Sequence, residues 1–374
     1  ISSDSWPIYI SLQKDGILFK MRRTQDLPDK ESATMFFQDC KLARQAQITG
    51  ISHSVKEILP PDLLDLTQLQ KEANIRYGFT ASEVYDIAQS LYEKKLISYP
   101  RTSSRYLTED VLDSLSPIMA RLLSWELFPA AKGTGGIDIS SLSRHVINAE
   151  KANVHHAIII TGIRPGNMSE KEMQVYRLVA GRMLETFMAP CRIETTNVEA
   201  VCAAQHFKAE QTRIIEAGWH DVFMRSDMVP KSGYSVNELP EVEKSDTLNV
   251  CGCNMVHKKQ LPVNPFTDAE LVEYMEQNGL GTVSSRTNII RTLVNRKYIR
   301  YSGKYIVPTP KGMFTYETIR GKKIADTSLT ADWEKQLAGL ESGMITGQDF
   351  LNRIRTLAKE MTDDIFNTYS TKEE

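Results

Sequence analysis

The sequence predicts a multidomain chain of mixed α and β structure. A β-rich domain is interrupted by a helical insertion, and a helical domain with winged-helix features follows. Three observations carry this expectation. Short β-prone runs lie on both sides of a long helical stretch. Capping signals recur at Thr80, Ser169 and Thr267. Near the C-terminal third, two short helical patterns precede a hairpin pattern. The boundaries expected are 1–58 with 188–262 for the β domain, 59–187 for the helical insertion, and 263–374 for the last domain. For 374 residues, two or three domains is the ordinary expectation.

The elements follow in order. Ile8-Tyr9-Ile10 and Ile17-Leu18-Phe19 are β-prone, and Lys14-Asp15-Gly16 is the turn between them. Pro60-Pro61 closes the first β region, and Leu63, Leu66 and Leu69 begin a helical one. Thr80 and Glu83 form a capping box, in which each side chain satisfies the other residue's backbone N–H. Val84, Ile87, Ala88 and Leu91 follow at helical spacing, and Lys94-Lys95 suits the negative end of that helix. Residues 132–143 read as a loop. Ser169 and Glu172 open another helix, with Met173, Tyr176, Met183 and Phe187 on its apolar face.

From 190 to 260 the pattern returns to β alternation, with Trp219 and a turn at Lys231-Ser232-Gly233. Thr267 and Glu270 cap a helix that stops at Gly279. Another runs from Ser285 to about Asn295 with Ile289, Ile290, Leu293 and Val294 inward, and Ser284-Ser285 suits its N-cap. Tyr298–Tyr301, Ser302-Gly303 and Tyr305–Val307 make the hairpin.

Composition excludes several classes. Apolar residues are 41% and charged residues 25%, which is globular rather than disordered. No apolar run approaches the roughly 20 residues that span a bilayer. No secretory signal is visible at the start, and the chain is expected to be processed or part of something longer. Five cysteines without paired spacing suggest reduced thiols in a cytoplasm, and Cys251-Gly252-Cys253 is too tight for the usual zinc pair. The net charge of −2 argues against a uniformly basic binder. It hides a segregated pattern, however. From Ser284 to Ala325 ten basic residues face the single acid Glu317, a net of +9, while 326–374 carries −5. Such a block over a helix–hairpin unit is a candidate nucleic-acid footprint, with Tyr298, Tyr301 and Tyr305 interleaved as stacking surfaces.

Ile97-Ser98-Tyr99-Pro100-Arg101-Thr102 is the most informative segment. A residue before proline is driven out of helical geometry, so Tyr99 is extended. In an extended chain Tyr99 and Arg101 share a face. A phenol beside a guanidinium suits nucleophilic attack on a phosphodiester, because the cation favours the phenolate and grips phosphate oxygens. On the residues alone, a half-buried aromatic with a solvated arginine is the stronger reading.

The stretch from Gln89-Ser90-Leu91-Tyr92 through Tyr99-Pro100-Arg101-Thr102 resembles the active-site segment of type IA DNA topoisomerases, nearest the bacterial topoisomerase III branch. Val154-His155-His156-Ala157-Ile158-Ile159-Ile160-Thr161 resembles the family's His-His-Ala-Ile-Ile-Pro-Thr motif. Gly279-Leu280-Gly281-Thr282-Val283-Ser284-Ser285-Arg286 resembles its Gly-Ile-Gly-Thr-Pro-Ala-Thr-Arg motif. The three occur in the family's order. The resemblance implies an arch-shaped fold and ATP-independent passage of one DNA strand through a break held by a 5′-phosphotyrosine link.

In that reading Tyr99 is the nucleophile, Arg101 binds the scissile phosphate, and His155 assists phosphate binding. Ser285 contacts the DNA backbone and Arg286 follows it. Thr282, Arg105, Gln89, Arg291 and Lys297 are expected to contact DNA as well. Ser103 stands where the family has Asp, Ile160 and Val283 where it has Pro, and Lys297 where it often has Gly; Val154 replaces a smaller residue.

The resemblance further implies an N-terminal Toprim domain with an acidic Mg2+ site. The chain contains no Asp-x-Asp, so it is expected to begin inside the arch, to hold no metal itself, and to be inactive alone. The partners implied are single-stranded DNA and a RecQ-like helicase or single-strand-binding protein, with no membrane. The expected state is a monomer in the bacterial cytoplasm, associated with the nucleoid. Two alternatives come from other classes. A tyrosine relaxase or recombinase would need a His-x-His pair or a tyrosine after its Arg and His cluster. A non-catalytic winged-helix DNA-binding protein leaves 60–187 without a role.

Overall fold

The computed structural model describes residues 4–125, 127–128, 146–152, 155–223, 231–258 and 264–370. The loop expected at 132–143 and the departure at Val154 lie outside them. The chain forms two compact units. One comprises Ile1–Pro61, Phe128–Leu142 and Leu184–Val263; the other comprises Asp62–Leu127, Ser143–Met183 and Asn264–Glu374.

The first unit is a closed barrel of six strands. These are β1 (Ile8–Lys14), β2 (Ile17–Arg23), β3 (Gln45–Ile58), β4 (Cys191–Cys202), β5 (Gln205–Glu216) and β6 (Thr247–Met255), in the spatial order β1-β2-β5-β4-β3-β6. Asp15 and Gly16 both take positive φ, as a two-residue hairpin turn between β1 and β2 requires. Alternate residues point inward, and Ile8, Ile10, Leu12, Met21, Ile48, Val198, Phe207 and Ala209 fill the interior. A helix not expected from the sequence, α1 (Lys30–Leu42), is capped by Asp29, whose carboxylate accepts from Ser32 N–H at 2.7 Å. It packs Phe36, Phe37 and Cys40 on the barrel core. Trp219 donates its indole N–H to Ile58 C=O at 2.9 Å, tying the end of β3 to the turn after β5. All five cysteines are free thiols.

The second unit contains α2 (Leu66–Tyr77), α3 (Ala81–Glu93), α4 (Glu109–Ser124), the single turn α5 (Ala149–Ala152) and most of α6 (Glu170–Thr186). After Asn264 come α7 (Asp268–Gln277), α8 (Val283–Asn295), the hairpin β7 (Ile299–Ser302) and β8 (Tyr305–Pro308), α9 (Pro310–Ile319), α10 (Thr327–Glu341) and α11 (Gly347–Ser370).

The capping boxes at Thr80/Glu83 and Thr267/Glu270 are formed in both directions. At the third, Ser169 N–H donates to Glu172 at 2.9 Å and Glu172 N–H donates to Ser169 Oγ at 3.3 Å. Ala81, Val272, Met275, Ile290 and Ile306 form the core that joins α3, α7, α8 and β8. Two expectations need correcting. The cap of α8 is Thr282 rather than Ser284 or Ser285, so the helix begins two residues earlier. Ile289 is 39% exposed, because the inward stripe of α8 runs through Arg286, Thr287 and Ile290.

Among the described residues no helix is long and apolar enough to cross a membrane.

Candidate active site around Tyr99

The segment after α3 is laced to the strand-like run 157–161, although more than fifty residues separate them. Ile97 bridges Ile160 and Leu64 bridges Ile158. Ser98 N–H donates to Ile159 C=O at 2.8 Å, and Ser98 Oγ accepts from Ile159 N–H at 3.0 Å. Thr102 Oγ1 donates to His155 C=O at 2.9 Å. Ala157, Ile158 and Ile160 are fully or almost fully buried, so this lacing is anchored in apolar packing. Two of the sequence motifs thus become one structural object.

The lacing sets Tyr99 against His155, with ring centroids 4.4 Å apart. Tyr92 also meets the Tyr99 ring, in an edge-on arrangement with centroids 5.4 Å apart. Arg101 turns towards α3. Its Nη2 donates to Gln89 Oε1 at 3.2 Å, and its guanidinium carbon stands 5.0 Å from the centre of the Tyr85 ring. Arg101 Nε is shielded from solvent without a partner. Tyr99 and Arg101 therefore both face α3, as an i, i+2 pair in extended chain should. Tyr99, Arg101 and Gln89 are half-buried and His155 is exposed, so the cluster is partly covered and partly open to solvent.

Below this cluster Arg105 donates from Nε to Asp65 at 2.7 Å. Asp65 is buried and also caps α2, accepting from Gln68 N–H at 2.7 Å. Burial pushes its carboxyl up, against the Gln68 N–H and the Arg105 charge that favour the ionised form. Burial alone would lower Arg105, but the Asp65 carboxylate outweighs it and raises the guanidinium. Arg105 thus braces the start of α2.

The remaining sequence-predicted residues gather on α8. Thr282 is exposed at its N-cap, and its backbone N–H donates to Ser285 Oγ at 2.8 Å. Arg286 is only 8% exposed. Its Nη1 reaches Glu276 at 3.2 Å and Thr67 at 3.4 Å, so in this conformation the charge is committed to an internal ion pair. Arg291 clasps α3, donating to Ser82 at 2.7 Å and to both oxygens of Asp86 at 3.0 and 2.8 Å. Lys297 is exposed, with φ at +61°. That left-handed backbone suits glycine.

The reading of the residues did not single out Tyr85 or Asp65. For Tyr85 a signal existed, since Tyr85, Gln89 and Tyr92 recur at helical spacing on one face of α3.

Chemically, the cluster offers a phenol flanked by an imidazole and, two residues on, a guanidinium. This is a set for phosphate binding and nucleophilic attack. It does not suit Mg2+, which is held by carboxylates and waters. Among the described residues no group of three or more His, Cys, Asp or Glu is placed to hold a metal ion. The Mg2+ implied by resemblance does not fit the residues around Tyr99.

The first unit is a six-stranded barrel, and the helical unit carries the Tyr99, Arg101 and His155 cluster. The chain belongs to the DNA topoisomerase family, whose pattern matches residues 1–352. It is 31% identical over 346 residues to DNA topoisomerase 3 of Bacillus licheniformis, covering 86% of this chain and 47% of that protein. It is 30% identical over 356 residues to DNA topoisomerase 3 of Bacillus subtilis, covering 88% and 48%. DNA topoisomerase 1 of Methanocaldococcus jannaschii is 29% identical over 97% of this chain and 46% of its own length. The chain therefore spans about half the length of the curated relatives it matches. Its fold is similar to full-length topoisomerase I from Thermotoga maritima, with a TM-score of 0.73 at 22% identity over 96% of this chain and 59% of that one.

Proposed function

We propose that this chain supplies the nucleophile of a type IA, topoisomerase III-like enzyme. Tyr99 Oη attacks a phosphorus of single-stranded DNA. The P–O bond to the 3′ oxygen breaks, the 5′ phosphate is held on Tyr99, and a free 3′ hydroxyl is left. One ester is exchanged for another, so the bond energy is conserved. Another strand passes and the 3′ hydroxyl attacks back, without ATP.

Arg101 pairs with the phosphate oxygens as charge develops on them, and His155 assists from across the Tyr99 ring. The observation that carries this reading is the contact of the Tyr99 ring with both His155 and Tyr92, with Arg101 two residues on held by the same helix α3. Mg2+ and an acid/base partner for the leaving oxygen belong to acidic groups that the residues around Tyr99 do not supply.

The unit α7–α8–β7–β8 is read as a winged-helix module that grips the strand's backbone. Thr282 and Ser285 at the start of α8, with Lys297 at its end, provide hydroxyl and cationic contacts. The substrate is single-stranded DNA, and a RecQ-like helicase or single-strand-binding protein would supply it. The enzyme acts as a monomer in the bacterial cytoplasm, on the nucleoid.

The test is relaxation of negatively supercoiled plasmid by the complete gene product carrying Tyr99→Phe. The expected result is loss of activity with the fold retained; retained relaxation would remove Tyr99 as nucleophile.

A further inference from the structure

One helix face grips both reacting side chains. Tyr85, Gln89 and Tyr92 recur at intervals of four and three residues along α3 and form a single stripe. Tyr92 touches the ring of Tyr99 edge-on at 5.4 Å. Gln89 accepts from Arg101 Nη2 at 3.2 Å, and its own amide nitrogen donates to Glu93 at 2.8 Å, which aims its carbonyl oxygen at the arginine. Tyr85 lies beneath the guanidinium, 5.0 Å from ring centre to guanidinium carbon.

A single hydrogen bond to Gln89 cannot fix a guanidinium, because the group can still rotate about that contact. A ring face fixes its plane, and a positive charge is attracted to that face. Among the described residues the Gln89 contact is the only side-chain hydrogen bond Arg101 makes, so the plane depends on Tyr85.

We propose that Tyr85 is a positioning residue for strand cleavage: its ring holds the plane of Arg101 so that the remaining N–H edge meets the scissile phosphate. The proposal rests on the reading of Tyr99 as nucleophile and Arg101 as its phosphate partner. Tyr85 acts through Arg101 and touches no reacting atom. The ring face matters, and the hydroxyl does not.

The test is single-turnover formation of the covalent adduct on a single-stranded oligonucleotide by the complete gene product, with Tyr85→Leu, Tyr85→Met and Tyr85→Phe. The aliphatic variants are expected to slow adduct formation roughly 3- to 30-fold with oligonucleotide affinity within about twofold. Tyr85→Phe is expected to restore the rate to within about twofold, with melting temperatures unchanged. In an Arg101→Ala background Tyr85→Leu is expected to cost nothing more, because the partner is gone.

Wild-type rates for Leu and Met, or no rescue by Phe, would overturn the proposal. So would an equal cost of Leu in the Arg101→Ala background. A Tyr99→Phe arm separates the two readings. If it still forms adduct, the nucleophile assignment fails. If it is dead while Leu and Met are normal, only the role of Tyr85 fails.

Discussion

Tyr99 and His155 face one another with ring centroids 4.4 Å apart and planes inclined by 46°. The contact is held by the near neighbours of Tyr99: Ser98 donates from its N–H to Ile159 C=O and from its hydroxyl to Ala157 C=O, and the Thr102 hydroxyl donates to His155 C=O. In the proposed reading, His155 assists at the phosphate that Tyr99 attacks. His155→Ala is expected to lower the cleavage rate by roughly 100-fold. His155→Phe keeps an aromatic ring against Tyr99 but not the nitrogens, and should fall as far. A normal rate for the Phe variant in a cleavage assay would reduce His155 to a packing role.

Arg101→Lys keeps the charge and loses the plane. A lysine is a point charge that cannot donate to Gln89, lie on Tyr85 and meet a phosphate edge together. Cleavage is expected to fall about 10- to 100-fold, with a smaller change in DNA affinity measured by fluorescence anisotropy. Equal losses in both would make Arg101 a simple binding residue.

Glu172 links α6 to the end of α3, accepting from Lys94 at 2.5 Å and from Ser90 at 2.7 Å. Lys94 first, then the Ser169 N–H and the Ser90 hydroxyl, pull its carboxyl down from 4.5 to about 2. The unfolded chain therefore takes up this proton at a higher pH than the folded one. The stabilisation is present in full above about pH 4.5 and is lost as pH falls towards about 2. In Glu172→Gln the melting temperature should be lower at neutral pH and should fall less steeply between those values. An unchanged slope would contradict the assignment.

Lys297 takes a left-handed backbone that costs a side-chain-bearing residue about 1 kcal/mol. Lys297→Gly is expected to raise stability by roughly 0.5–1 kcal/mol in urea titrations. If Lys297 also meets a phosphate, the same change should weaken DNA binding and reduce the salt slope by about 1. Unchanged binding would leave the lysine with no contact to DNA.

Local signals were the most legible in the sequence. The capping boxes at Thr80, Ser169 and Thr267 need only residues three apart, and the Asp15-Gly16 turn needs only two. The helix from Lys30 to Leu42 was not legible, because it buries only Ala33 and Cys40 fully and so lacks a strong apolar period. The motif at Tyr99 announced itself, but the support of Arg101 by Tyr85 depends on how α3 packs. Arg286 could be read as a free cation from its charge-dense neighbourhood. Its pairing with Glu276, on a preceding helix, emerges only when α7 and α8 pack together.

The central claim is that Tyr99 takes the broken strand. The most direct measurement is mass spectrometry of peptides after the complete gene product is denatured during cleavage of a single-stranded oligonucleotide. A 5′-phosphoryl nucleotide is expected on the peptide bearing Tyr99, absent in Tyr99→Phe. A nucleotide carried on any other residue, or one persisting in Tyr99→Phe, would contradict it.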